Sequence, residues 1–186
     1  MATDLVVVVK AAAIAFRGAL RKYLLEHDMD TYAMMTMSGR EHLDGLIQDA
    51  HDQGAHVLTS KSAHSSIQGH RPFTVLEDVT PEMRFFGEES FGPVLGIHVV
   101  ETEEDAIAAA NTSKYGLSSS IWTRDHFAAI RVARSLAVGA VHVNASTVHD
   151  EATLPHGGCG LSGYGRFGGP WGLREFVQTK TIIMHP

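Results

Sequence analysis

Leu5-Val6-Val7-Val8-Val9 runs directly into Lys10-Ala11-Ala12-Ala13-Ile14-Ala15-Phe16-Arg17 and on to His27, and this junction sets the fold class. The valine run after Leu5 favours extended backbone, because β-branched side chains are stiff at χ1 and pack well on a pleated surface. The segment from Lys10 onward is rich in alanine, and Ile14, Leu20, Leu24 and Leu25 recur at helical spacing. The stretch therefore predicts strand, then helix.

Outward from this unit the same alternation repeats. Residues 28–37 read as irregular, and Ser38 with Glu41 is the expected cap of a second helix, whose Leu43, Leu46 and Ile47 precede a stop at Gly54. A short strand is expected at 56–58, an exposed Ser/His/Gly/Gln-rich loop at 59–71, and strands at 74–76 and 94–100. Thr102 and Asp105 form a capping box for an alanine-rich helix ending near Tyr115-Gly116. Strand 118–122, helix 125–137 stopped by Gly139, and strand 140–143 ending at Asn144 come next. Alternation of this kind predicts an α/β fold, a largely parallel sheet with flanking helices, as one domain over 1–186. Ligands in such folds gather at strand carboxyl ends. Residues 144–169 are glycine-rich and aperiodic, a long structured loop of the sort that carries function, before a short helix near 173–176.

Composition narrows the function classes. The 186 residues are 44% hydrophobic and carry a formal charge of −6 with no block of like charge, which argues against nucleic acid or an anionic membrane as partner. Apolar runs are too short to span a bilayer, and Asp4 stands where a signal peptide would be basic, so a cytoplasmic location is expected. Cys159 is the single cysteine and excludes an internal disulfide or a cysteine-based zinc site. Although there are 12 histidines, the even spacing of His142, His149 and His156 matches no usual ligand pair, and no metal site is expected.

Glu88-Glu89-Ser90-Phe91-Gly92-Pro93, just before strand 94–100, is the most distinctive segment. A carboxylate there can accept from ribose hydroxyls, an aromatic ring can lie against a flat heterocycle, and Gly-Pro shapes the turn. A charged turn with a core phenylalanine has the same letters. Gly158-x-Gly160-x-x-Gly163 matches the dinucleotide fingerprint by letter, but a proline-containing loop precedes it and no helix opens after it, so these glycines read as a compact turn. No sequence neighbour of Cys159 is a Lys or His that would lower its pKa, which argues against a nucleophile.

Glu-Glu-x-Phe-Gly-Pro-Val resembles the signature of the aldehyde dehydrogenase superfamily. Further landmarks continue in the family's order: Ala110–Ser118, Thr123-Arg124-Asp125, Gly139–Asn144 and Gly157–Arg166. Thr147–Glu151, Phe167–Pro170 and Glu175-Phe176 are most similar to members acting on aromatic aldehydes such as vanillin and salicylaldehyde. The resemblance implies NAD or NADP as cofactor, with Glu89 near the nicotinamide-side ribose and Phe91 near the nicotinamide. It also implies a substrate channel bordered by Asn144, His149 and His156, His156 standing where many relatives have an aromatic residue.

Three departures from the family pattern are visible. Residues 28–37 are shorter than the family's linking segment and lack its Gly-Asp-Pro turn, and Phe73 interrupts the Pro-Thr-Val-Leu run. The family's nucleophilic cysteine is expected just before Met1, with the general-base glutamate, oxyanion asparagine and cofactor domain further upstream. On this expectation the chain is the C-terminal part of a catalytic domain, a truncated one holding no catalytic residue and inactive alone. Alternatively it is a non-catalytic partner: residues 179–184 resemble the family's oligomerisation strand, which points to docking on intact aldehyde dehydrogenase subunits or to self-association.

Overall fold

The computed structural model describes residues 3–27, 31–60 and 69–186. Cα neighbours group the chain into two compact units, one up to Ser113 and one from Lys114 to Pro186, where the sequence reads as a single domain.

The first unit is an α/β sandwich of three layers. It runs β1 (Leu5–Val9), α1 (Lys10–Glu26), β2 (Tyr32–Ala33), α2 (Met37–Asp52), β3 (His56–Thr59), β4 (His70–Arg71), β5 (Thr74–Glu77), α3 (Arg84–Gly87), β6 (Val94–Val100) and α4 (Glu103–Asn111). The main sheet has the order β1-β6-β5-β3. β6 pairs in parallel with β1 (Leu5↔Gly96) and with β5 (Thr74↔Val94), while β3 closes the edge antiparallel to β5. β2 and β4 form a separate small antiparallel ladder.

Alternation along β5 distributes the core between the two sheet faces. Leu76 packs with Leu43, Leu46 and Ala50 of α2 and with Val79, Phe85 and Val94, whereas Val75 packs with Val8, Ile97 and Ala13 and Leu24 of α1. The sheet is thus covered on both sides. On α1 the inward stripe is Ala13, Phe16, Leu20 and Leu24. Ile14 and Leu25, which share the expected spacing, point to solvent at 89% and 63% exposure. Small Ala13 lets the helix approach β1 closely, and Phe16 supplies bulk one turn later.

Several local expectations shift by a few residues. α2 starts at Met37 and its cap is Thr36, whose Oγ1 accepts from the Gly39 amide at 3.0 Å, so Ser38 lies inside the first turn. The reason is reach: a capping oxygen serves amides two or three residues on, and the backbone of Thr36 (φ −141°) is the extended one. The Thr102–Asp105 capping box is present in both directions, but α4 ends at Asn111 and Tyr115-Gly116 is strand. Of the expected 59–71 loop, residues 61–68 lie outside the described residues, while His70-Arg71 is paired strand. In the 28–37 segment, residues 28–30 likewise lie outside, and Tyr32-Ala33 is strand.

The second unit contains β7 (Tyr115–Gly116), β8 (Ser118–Ile121), α5 (His126–Ser135), β9 (Ala140–Val143), β10 (Cys159–Gly160) and α6 (Gly169–Glu175). β8 and β9 are parallel around the crossover helix α5, which Asp125 caps through the Phe127 and Ala128 amides. The last helix begins four residues earlier than the expected 173, with Pro170 in its first turn. Residues 176–186 carry no helix or strand, so the expected strand at 179–184 is absent from this single chain; Ile182, Ile183 and Met184 are exposed. A strand needs a neighbour to complete its ladder. Among the described residues no helix is long and apolar enough to cross a membrane.

Candidate functional site

Glu89 and Phe91 stand on one turn between α3 and β6, at the amino ends of the parallel strands, and not at the carboxyl ends where α/β folds usually gather ligands. In this turn alternate residues face opposite ways. Glu89 and Phe91 are exposed, Phe91 at 75%, while Ser90 between them is fully buried. Phe91 adopts a left-handed φ of 49°, a conformation costly for a residue with a Cβ, and one that persists only where the surroundings impose it.

Three contacts impose it. His42 Nε2 lies 3.1 Å from the Glu89 carbonyl oxygen, so the imidazole donates to that carbonyl. The buried Ser90 hydroxyl donates to Asp4 Oδ1 at 2.6 Å, and its amide approaches Asp4 Oδ2 at 3.4 Å. Gly92 lies against Leu43 so closely that a Cβ would stand 2.5 Å from Leu43 Cδ2. Below the turn, Arg84 holds Glu88 through two 3.0 Å hydrogen bonds, and this carboxylate raises the Arg84 pKa above its ordinary value. The Arg84 amide is bound by Asp49 Oδ2 at 2.9 Å, which ties α3 to α2.

Glu89 has no hydrogen-bond partner for its carboxylate among the described residues, in contrast to Glu88. Phe91 lines an open cleft of about 580 Å³ with Thr3, Tyr32, Met35, Phe73 and Pro93; Glu89 stands outside that lining. The cleft walls are mainly apolar, so the turn presents an apolar ring with a free carboxylate two residues away.

In the second unit the channel candidates occupy the loop after β9. Asn144 is left-handed at φ 54°, and its side chain is bonded at both ends: Oδ1 accepts from the Thr123 amide and Nδ2 donates to the Thr123 carbonyl, both at 2.9 Å. It clips the end of β9 to the chain leaving β8. His149 is exposed, with Nε2 3.1 Å from Glu151 Oε1. His156 exchanges two 2.8 Å backbone hydrogen bonds with Phe167, its ring sits 5.0 Å from the Phe167 ring centroid, and Nδ1 is 3.6 Å from Asp150 Oδ1. His156 is thereby fixed, and His149 is held only at the surface.

In the glycine-rich segment β10 pairs antiparallel with the distant β7, and Gly160 (φ 59°) and Gly163 (φ 114°) turn the chain back so that Phe167 bridges His156. This is a turn and not the start of a dinucleotide-binding helix. Arg166 donates to the Gly158 and Gly165 carbonyls at 2.8 and 2.6 Å and lies 3.6 Å from Cys159 Sγ. That cation beside the thiol is seven residues away in sequence, so inspection of near neighbours misses it. Among the described residues no group of three or more His, Cys, Asp or Glu side chains is placed to hold a metal ion.

Asp4, His42 and Arg84 are the residues that sequence reading misses. Asp4 precedes a strand of pure hydrocarbon, a position where a lone carboxylate next to the sheet is a usable flag; His42 and Arg84 carry no such signal.

Comparison with known proteins places this geometry in a family. Salicylaldehyde dehydrogenase of Pseudomonas putida is 39% identical over 153 residues, 82% of this chain and 31% of the relative. Vanillin dehydrogenase of Pseudomonas fluorescens is 38% identical over 152 residues, again 82% of this chain and 31% of the relative. The crystal structure of a salicylaldehyde dehydrogenase from Pseudomonas putida G7 complexed with salicylaldehyde superimposes with a TM-score of 0.88 at 34% identity, covering 98% of this chain and 39% of that one. The chain thus spans about a third of the length of the curated relatives it matches. With the aldehyde dehydrogenase family model matching residues 2–182, nearly its whole length, the chain belongs to the aldehyde dehydrogenase family.

Proposed function

We propose that the chain supplies the C-terminal part of the catalytic domain of an NAD(P)-dependent enzyme that oxidises aromatic aldehydes to carboxylic acids, and that these 186 residues turn over no aldehyde by themselves. The observation that carries this reading is the turn that exposes the Glu89 carboxylate and the Phe91 ring together while burying Ser90. A nicotinamide nucleotide offers the matching partners, ribose hydroxyls for an unpaired carboxylate and a flat ring for an aromatic face. When bound, the nucleotide supplies the hydride acceptor; the protein's part is binding and orientation.

The chemistry of the family requires a nucleophile. Cys159, the one thiol in the chain, is free and half-buried in β10 with Arg166 3.6 Å from its Sγ, so it is the residue the test must exclude as a nucleophile. Likeness to proteins named for salicylaldehyde and vanillin supports an aromatic substrate. The test is nicotinamide reduction by the purified chain with salicylaldehyde or vanillin and either nucleotide. No turnover is expected. Aldehyde-dependent reduction that disappears in Cys159→Ala overturns the reading.

A second reading, a partner that docks on intact aldehyde dehydrogenase subunits or on itself, is favoured by the exposed Phe176, Ile182, Ile183 and Met184 at the C-terminus. Co-purification with an intact aromatic aldehyde dehydrogenase supports it. A chain that stays monomeric and ignores such an enzyme sinks it.

A further inference from the structure

We propose that Asp4 is a positioning residue: it locks the turn carrying Glu89 and Phe91 to the segment that leads into β1, and so fixes how far those two side chains stand from that segment. The inference rests on the reading of Glu89 and Phe91 as nicotinamide-nucleotide contacts, and it goes beyond that reading by assigning the group that holds them.

β1 and β6 are parallel neighbours, so their amino ends lie side by side. The Asp4 carbonyl already belongs to this pairing, accepting from the Gly96 amide at 2.7 Å. Its side chain is therefore free to reach back along the start of β6. There it meets Ser90, which has no solvent of its own, and takes the hydroxyl on one oxygen and the amide on the other. A buried hydroxyl left without a partner is costly, and a charged acceptor makes the stronger bond. Pulling Ser90 inward from this side leaves its two neighbours only the outward direction, and the left-handed backbone at Phe91 is the geometric consequence.

The link joins residues 86 positions apart and anchors no helix or strand interior, so a purely structural account and a positioning account make different predictions. They separate by amide exchange in the 186-residue chain. Asp4→Ala and Ser90→Ala should each speed exchange at the Gly92 and Val94 amides by about 10- to 100-fold, the range for loss of a hydrogen bond to a charged group. Exchange at Leu76 and Ile97 in the sheet should stay within about twofold of the parent. The double variant should go no further than either single one, and Asp4→Asn, which keeps an acceptor for the hydroxyl, should recover most of the protection. Turn amides that do not respond, single effects that multiply, or sheet amides that speed up equally overturn the proposal.

Titration with oxidised NAD, followed at the Phe91 ring resonances, then reads the functional half. Weaker binding in Asp4→Ala by a factor similar to the exchange effect supports positioning. Binding as tight as the parent overturns it. Should the parent itself give no response while the exchange cycle holds, nucleotide binding by these 186 residues fails and the lock between Asp4 and Ser90 stands on the exchange data.

Discussion

Replacing Gly92 by alanine tests whether the turn is held from below as tightly as the geometry implies. The new methyl would lie 2.5 Å from Leu43 Cδ2 and 3.3 Å from both Cδ1 and Cγ, well inside van der Waals contact. A side-chain end normally swings aside cheaply. Leu43 is 1% exposed and surrounded by Leu46, Leu76, Phe85 and Val94, so any rotation pushes on a filled core. Overpacking of this kind costs about 1–3 kcal/mol. For a chain of this length about 2 kcal/mol corresponds to a fall in Tm of roughly 4–8 °C.

Urea denaturation and thermal melting of Gly92→Ala, Leu43→Ala and the double variant measure the effect. Leu43→Ala alone removes buried bulk and should cost about 2–5 kcal/mol. In the double variant the added methyl occupies part of the space vacated, so its cost should fall short of the sum by at least about 1 kcal/mol. A Gly92→Ala protein within about 0.5 kcal/mol of the parent, or costs that add, would refute the claim that Leu43 supports this turn.

Other expectations are simpler to state. Leu46→Ala, at a fully buried position between α2 and the sheet, should lower stability by about 2–5 kcal/mol with little change in the urea slope, read by the same denaturation curves. Asn144→Ala loses both hydrogen bonds to Thr123 and leaves a Cβ at positive φ without compensation; Asn144→Gly loses only the bonds, so equilibrium unfolding should rank alanine as the worse of the two. Thr102→Ala should cost about 1 kcal/mol through loss of the capping box, detectable as fraying of α4 by amide exchange. The Thr80 side chain and then its own backbone amide hold the Glu82 carboxyl below its ordinary value. Its folded pKa being the lower one, its contribution is complete above the ordinary value and is lost as pH falls through the depressed one; Glu82→Gln should flatten that part of the acid limb of stability.

How much is legible in the sequence depends on the range of each interaction. The valine run of β1 and the Thr102–Asp105 box are statements about residues within four positions of one another, and both stand in the structure as read. Helix α1 is legible as a helix, but its inward face is not: Ile14 and Ala13 both fit helical spacing, and only the closeness of β1 selects the smaller one for the interior. Thr36 escapes notice as a cap because Ser38-x-x-Glu41 has the better letters, while the extended backbone at Thr36 cannot be read from letters. The C-terminal strand illustrates the same limit from the other side. Residues 179–184 have the composition of a strand, yet strand formation depends on a neighbouring ladder that the isolated chain does not offer.

The candidate site divides along the same line. Glu89 and Phe91 can be nominated from a six-residue motif because the turn that carries them is local, and the family is named by motifs in order. Their support cannot. Asp4 meets Ser90 across 86 positions, His42 meets Glu89 across 47, and Arg166 meets Cys159 because the chain folds back between the bridged His156 and Phe167. Sequence by itself determined the α/β class and the family and nominated Glu89 and Phe91, because local propensity and motif order are written along the chain. Tertiary structure alone decided which buried groups hold those side chains in place. The pairing of strands β1 and β6 sets which distant residues come within hydrogen-bond reach, and nothing in the order of letters specifies that distance.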